Sequence, residues 1–357
     1  MTQSTKVLLV DDSSIVRKLV KRELEQVDGI EVVIAENGRR GVEAVERDKP
    51  DIVVLDIEMP EMNGIEALGK IRAINRRLPV IMFSTLTERG ASITLEALAA
   101  GANDYIAKPS GAANMQAALA EVRDALVARI DALCRRRPPR RHQPVVPVDV
   151  PARREPSGPI EIVAIASSTG GPAALTTVLP MLPADLPVPV VIVQHMPATF
   201  TSLLAKSLDT KCALNVREGI AGTDVRAGDV WIAPGGKHME LARSPEGSRL
   251  VTHEGPMEQS VRPAADVLFR SVAEIYGDRV LAVVLTGMGM DGRAGAEAIR
   301  SRGGHVFVQD EATSVVWGMP GAVVRSNLAD RILPIDEIGN AITGFVCDAK
   351  PTAGRAR

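Results

Sequence analysis

The sequence predicts two α/β domains, each built on a largely parallel sheet, with a charged spacer between them. Three observations carry that expectation. The 357 residues suit two domains of ordinary size. Short apolar runs alternate with helical periodicity over residues 6–133, and again over 158–345. Between these blocks, CRRRPPRRHQPVVPVDVPARREPS (134–157) has no apolar period and is rich in Pro and Arg. The expected divisions are a first domain over 1–130, a linker over 131–157, a second domain over 158–347 and a frayed tail over 348–357. Hydrophobic residues at 45% and charged residues at 24% exclude a disordered or collagenous chain. Aromatics at 3% mean aliphatic cores and argue against a base-stacking platform for single-stranded nucleic acid.

In the first domain, Lys6–Val10, Glu31–Ala35, Ile52–Asp56, Val80–Ser84 and Asp104–Ala107 read as strands. Ser14–Gln26 and Gly38–Asp48 read as helices, further helices fall between the later strands, and Met115, Leu119, Val122, Leu126, Ile130 and Leu133 form one helical stripe. Five βα units predict a five-stranded parallel sheet covered on both faces. In the second domain, strands are expected at Ile160–Ala166, Val188–Val193, Val230–Ile232, Val280–Leu285 and His305–Val308. Helices are expected at Pro172–Leu182, Phe200–Leu208, Ala264–Tyr276 and Gly295–Arg302.

The chain carries 42 Lys and Arg against 44 Asp and Glu, a net charge of −2, so nucleic-acid affinity would need a local patch. The linker is the one such excess, seven Arg against two acids, and reads as a self-repelling spacer. Three scattered Cys, with no CxxC, argue against a disulfide scaffold or a structural zinc site. The N-terminal apolar run is too short for a signal sequence, and no stretch approaches a membrane span; the expectation is a soluble cytoplasmic protein without membrane insertion.

In a parallel sheet the loops at the carboxyl ends of the strands carry the site. In the first domain those ends are Asp11 and Asp12, Asp56, Ser84 and Lys108. Gathered carboxylates repel one another unless a hard cation binds among them, which suits Mg²⁺ with a phosphoryl oxygen. A Lys to pair with an anion and a Ser hydroxyl to donate complete a set fit for phosphoryl transfer to an Asp carboxylate. VLLVDDSS, LDIEMPEMNG, PVIMFSTLT and YIAKP resemble the signature segments of the response-regulator receiver family, over about residues 4–127. The resemblance implies a flavodoxin-like, doubly wound sheet with Asp56 as phosphoacceptor. It implies Asp11, Asp12, Asp56 and the Glu58 carbonyl around Mg²⁺, Lys108 pairing with the phosphoryl group, and Ser84 and Tyr105 as switch residues. The implied phosphodonor is a phospho-His on a chemotaxis sensor histidine kinase of the CheA type.

In the second domain, IVAIASSTGGP (162–172) runs from an apolar strand into a Gly-Gly turn and a helix, exposing a Ser near backbone N–H groups. Alone, this turn fits a phosphate loop or a helix cap as well as a nucleophile elbow. A nucleophilic Ser needs a base. Of the five His, His142 lies in the linker, His238 and His253 in loops or hairpin ends, and His305 opens a strand. His195 follows VPVVIVQ at a strand's carboxyl end, as Ser168 follows its strand. VLAVVLTGMGMDG carries Asp291 in a Gly-rich loop after a third buried strand. The order Ser168, His195, Asp291 differs from that of the α/β-hydrolases.

ASSTGGP, VQHMP, APGGKHM, LTGMGMDG and QDEATSVVWGMP resemble the chemotaxis methylesterase catalytic family, over about residues 158–345. That resemblance implies a Rossmann-like hydrolase domain with Ser168 as nucleophile, His195 as base and acid, and Asp291 as orienting acid. Thr169 is implied as triad support and the Met288 N–H as oxyanion donor, with no metal for hydrolysis. Substrates are implied to be glutamate methyl esters and glutamines on chemoreceptors, the methyl-accepting chemotaxis proteins. Ala166, Ala198–Thr199, Val261 and Ala264 depart from the family's usual Gly, Pro-Gly, His and Ser. Phosphorylation of Asp56 is expected to shift the population of a state in which the receiver covers Ser168. A DNA-binding output is disfavoured because the second domain is long, strand-alternating and lacks a basic recognition helix. A nucleotide-binding output is disfavoured because no GxxxxGK[ST] is present.

Overall fold

A computed structural model describes residues 4–85, 87–109, 115–134 and 158–348. The chain divides into two compact units, Met1–Gln143 and Pro144–Arg357. Residues 135–157 of the linker and 349–357 of the tail lie outside the described residues.

In the first unit, strands β1 (Thr5–Val10), β2 (Ile30–Ala35), β3 (Ile52–Asp56), β4 (Val80–Ser84) and β5 (Asp104–Ala107) alternate with helices α1 (Ser14–Leu24), α2 (Gly38–Asp48), α3 (Gly64–Ile74), α4 (Glu88–Ala99) and α5 (Met115–Cys134). The strands are all parallel, in the order β2-β1-β3-β4-β5. Their near-continuous aliphatic runs follow from burial on both faces: Val7 and Leu9 face one core, Leu8 and Val10 the other. Ser13, Asn37, Asn63 and Thr87 cap the first four helices by accepting backbone N–H groups two or three residues into each helix. Ser13 is the cap of α1, which leaves Asp11 and Asp12 free of that duty. The strand order reverses between β1 and β3, so the crevice of a doubly wound sheet opens beside Asp11 and Asp56. Helix α5 runs to Cys134, beyond the boundary at residue 130 that the sequence suggests.

The second unit holds seven parallel strands in the order β14-β13-β12-β6-β7-β9-β8 and a separate antiparallel hairpin, β10–β11. These are β6 (Ile162–Ser167), β7 (Val190–Gln194), β8 (Asn215–Glu218), β9 (Asp229–Ile232), β10 (His238–Ser244), β11 (Gly247–His253), β12 (Val280–Val284), β13 (His305–Gln309) and β14 (Arg331–Leu333). The helices are α6 (Gly171–Val178), α7 (Ala198–Asp209), α8 (Ala265–Tyr276), α9 (Arg293–Ser301), α10 (Met319–Arg325) and α11 (Ile335–Asp348). The single helix expected over 172–182 ends at Val178 and continues as a 3₁₀ turn over Leu179–Met181. Pro180, lacking an N–H, explains the break. Four of the five Phe (Phe83, Phe200, Phe269 and Phe307) are fully buried, so the scarce aromatics anchor otherwise aliphatic cores. From β6 the chain builds β7, β8 and β9 on one side of the sheet, and it later crosses back to lay β12, β13 and β14 on the other side of β6. The switch point therefore falls at the carboxyl end of β6, immediately before Ser168.

Candidate functional site

In the first unit, the carboxylate oxygens of Asp11, Asp12 and Asp56 lie within 4.8 Å of one another. Asp11 and Asp56 are buried and Asp12 is exposed, which gives the cluster an open side. Lys108 Nζ sits 2.8 Å from Asp11 Oδ2 and 2.6 Å from Asp56 Oδ2. Lys108 thus bridges the two buried carboxylates as a shared ion-pair partner. Two carboxylates share one ammonium, so one negative charge is uncompensated before Asp12 is counted. Burial accordingly pushes the Asp56 carboxyl up to about 6, against the pull of Lys108. Lys108 itself loses solvation on burial, but its two carboxylate partners outweigh this and hold the ammonium charged. Oxygen-only donors with unused lone pairs and surplus negative charge fit a hard divalent cation.

Glu58 is exposed beside this cluster, and its N–H donates to Asp56 Oδ1 at 3.3 Å. Ser84 ends β4, but its hydroxyl faces the start of α4, 2.8 Å from Thr94 Oγ1 and 3.3 Å from the Gly90 carbonyl. Tyr105 packs half-buried against the core, and burial raises its phenol.

In the second unit, Ser168 follows β6 at a turn that only glycines allow. Gly170 adopts a left-handed φ of 77°. A Cβ on Gly171 would strike Gln194 Oε1 and come within 2.9 Å of Ser167 Cβ. Gly287 lets the loop after β12 touch the elbow, since a Cβ there would lie 2.9 Å from Ser168 Cβ. The Ser168 N–H donates to the Thr286 carbonyl at 3.0 Å, and the His195 N–H to the Ser167 carbonyl at 3.2 Å. Backbone bonds thus bring the ends of β6, β7 and β12 to one edge.

His195 Nε2 lies 2.7 Å from Asp291 Oδ2. Asp291 also accepts the N–H groups of Ala265 (2.6 Å), Asp266 (2.9 Å) and Gly292 (2.9 Å). Burial alone would raise the Asp291 carboxyl, but His195 and these backbone donors outweigh it and hold the group below its ordinary value. An ionised Asp291 accepts from Nε2–H, which leaves the lone pair on Nδ1. No hydrogen bond joins Ser168 to His195 among the described residues. The Met288 N–H likewise meets no acceptor among the described residues, and Thr169 is buried, its carbonyl accepting from Thr286 Oγ1 at 3.0 Å.

The remaining described histidines are engaged elsewhere. His238 and His253 face each other across the hairpin's end. His238 Nδ1 accepts the Ala264 N–H at 3.2 Å, while its Nε2 lies 2.9 Å from the Pro256 carbonyl. His305 is buried at the start of β13.

Sequence reasoning missed Gln194. Its buried amide accepts from Ser167 Oγ at 2.7 Å and donates toward the Ser168 and His195 carbonyls at 3.0 and 3.3 Å. The available signal was an amide closing an otherwise aliphatic strand. Among the departures, Ala166 points its methyl into the core below the elbow. Ala264 stands at the N-cap of α8 and supplies no side-chain cap.

An acid-and-lysine pocket on one doubly wound sheet, and a Ser elbow beside a His–Asp pair on another, define a response regulator with an enzymatic output domain. Residues 7–120 match the response regulator receiver domain and residues 163–342 the CheB methylesterase family. A protein-glutamate methylesterase/protein-glutamine glutaminase of Trichodesmium erythraeum is 45% identical over 343 residues, covering 94% of this chain and 97% of the relative. A protein of the same name from Nocardioides sp. is 47% identical over 355 residues, covering 97% of each. The crystal structure of the Thermotoga maritima CheB methylesterase catalytic domain is 41% identical, with a TM-score of 0.52, and the match covers 52% of this chain and 99% of that one. The chain belongs to the CheB methylesterase family. No helix among the described residues is long and apolar enough to cross a membrane.

Proposed function

We propose that this chain is a phosphorylation-regulated protein-glutamate methylesterase and protein-glutamine glutaminase acting on cytoplasmic segments of chemoreceptors. The observation that carries this reading is the 2.7 Å His195–Asp291 pair on the sheet edge that also presents Ser168. The names of the relatives, protein-glutamate methylesterase/protein-glutamine glutaminase, support methylated glutamates and glutamines of a protein as the substrate class.

Ester hydrolysis and deamidation are the same acyl transfer at a γ-carbonyl. Ser168 Oγ attacks, and His195 Nδ1 takes its proton while Nε2–H stays on Asp291. Asp291 steadies the resulting imidazolium, and the Met288 N–H is a donor for the oxyanion, beside the elbow turn. His195 then gives the proton to the departing methoxy or amino group, which leaves as methanol or ammonia. Water, deprotonated by His195, releases glutamate from Ser168. Gln194 holds the nucleophile's and the base's backbone carbonyls in one grip, and Thr169 supports the turn.

On the receiver, Asp56 is the phosphoacceptor and a CheA-type histidine kinase the donor. Asp11, Asp12, Asp56 and the Glu58 carbonyl would hold Mg²⁺, which when bound neutralises the acids and the incoming phosphoryl oxygens. Lys108 is released from its pairing with Asp56 to pair with the phosphoryl group. Ser84 is the hydroxyl that reorients, by leaving Thr94, and Tyr105 is the aromatic that follows it.

The decisive experiment is methanol release from methylated receptor membranes by wild type, Ser168→Ala and His195→Ala. Loss in both variants, with the fold retained, is expected. Equal release by all three rules the assignment out.

A further inference from the structure

Helices α8 and α9 start side by side, and each start is held by a carboxylate from the other. Asp291, immediately before α9, accepts the N–H groups of Ala265 and Asp266 in the first turn of α8. Asp266, in the first turn of α8, accepts the N–H of Gly295 in the first turn of α9 at 2.6 Å. The helices touch there. A Cβ on Gly295 would strike the Phe269 side chain and lie 3.2 Å from Asp266 Cα. Helix starts carry unsatisfied donors and a partial positive charge, so each carboxylate serves as an external cap. The arrangement matters more in this chain because the N-cap position of α8 is Ala264, which has no side-chain acceptor.

We propose that Asp266 is a positioning residue for Asp291: by capping α9 it fixes the turn that carries Asp291, and its negative charge adds to the potential that favours the His195 imidazolium. This rests on the assignment of Ser168, His195 and Asp291 to catalysis. Asp266 is fully buried, and its Oδ2 has no hydrogen-bond partner. A buried acid with one unused oxygen is costly, so a purely structural cap would be served better by Asn or Ser. The charged groups around it are few. Asp291 lies on the loop after β12, with His195 beyond it, and Glu258 lies on the segment before α8. Arg270 is on α8 itself, and it is paired with Glu258 through bonds of 2.6 and 2.7 Å, which largely cancels both. Burial, then Asp291 and Glu258, push the Asp266 carboxyl up to about 6 against the Gly295 N–H. In its ionised form the side chain places its field on the Asp291–His195 pair.

The test uses the full chain and methylated receptor membranes, with kcat, KM and the kcat–pH profile measured for Asp266→Asn and Asp266→Ala beside Ser168→Ala. Asp266→Asn keeps an acceptor for Gly295 but removes the charge. It is expected to lower kcat about 3–10-fold at unchanged KM and to move the acidic limb about half a unit to lower pH. Asp266→Ala loses the cap as well and is expected to lower kcat about 30–100-fold. Two results overturn the proposal while Ser168→Ala is inactive. In one, both variants keep the wild-type kcat and acidic limb. In the other, the two lose activity equally, in step with melting temperature, with no shift of the limb. An active Ser168→Ala protein instead defeats the catalytic assignment itself.

Discussion

Replacing Asp291 with Asn leaves one oxygen to serve four donors. In the wild type, Oδ2 takes His195 Nε2–H and the Ala265 N–H, while Oδ1 takes those of Asp266 and Gly292. If the new amide keeps its oxygen on Asp266 and Gly292, the Ala265 N–H loses its acceptor. The amide N–H₂ then faces His195, which must present a lone pair at Nε2 and carry its proton on Nδ1. If the amide flips, two buried backbone donors are stranded instead of one. Each stranded donor costs about 1–3 kcal/mol, so the first arrangement is preferred by about that amount, roughly 5- to 150-fold. It is also the arrangement with no lone pair facing Ser168. Adding the lost support for the imidazolium, kcat for methanol release should fall about 10³–10⁴-fold, while stability falls by only about 1–3 kcal/mol. Circular dichroism and thermal melts would establish that the variant is folded. A folded Asp291→Asn protein with kcat within about tenfold of wild type would refute the reasoning, because neither the tautomer nor the charge would then matter.

Gln194→Leu keeps the volume but removes every polar contact of the clamp, and kcat should fall about 10–100-fold with a loss of about 1–3 kcal/mol; unchanged kcat would show that the grip on the two carbonyls is idle. Asp56→Asn should abolish Mg²⁺-dependent incorporation of label from a phosphorylated kinase, and chelation of Mg²⁺ should do the same to wild type. The Asp56 carboxyl moves from an ordinary 3.8 to about 6 in the fold. A raised carboxyl opposes folding when ionised. That cost is present in full above pH 6, and disappears as pH falls below the unfolded value. Asp56→Asn should therefore stabilise the receiver by about 1–3 kcal/mol at pH 7.5 and by little at pH 4; equal melting shifts at both pH values would contradict this.

Much of this architecture could be read before any coordinates. Ile52–Asp56, Val80–Ser84 and Asp104–Ala107 are strands at the expected limits because continuous aliphatic runs between polar breaks leave little freedom. The strands β8 and β14 were not anticipated: Asn215–Glu218 and Arg331–Leu333 are short, charged edge strands whose pairing comes from their neighbours. Helices α10 and α11 were also missed. At the site, strand-end logic brought Asp11, Asp12, Asp56 and Lys108 to one pocket and His195 to Asp291. The ring nitrogen used, the turning of Ser84 toward Thr94, and the roles of Gln194 and Asp266 depend on side-chain directions that spacing does not encode.

The absent side chain at Gly171 has a consequence for inheritance. The space a Cβ would need there is held by the Gln194 amide. Positions 171 and 194 therefore form one heritable unit although 22 residues separate them along the chain. Divergence at 171 needs residue 194 to shorten and Ser167 Cβ to give way, and the shortened intermediate has already surrendered the clamp on Ser168 and His195. The two sites are thus locked in an order of mutation with no neutral first step.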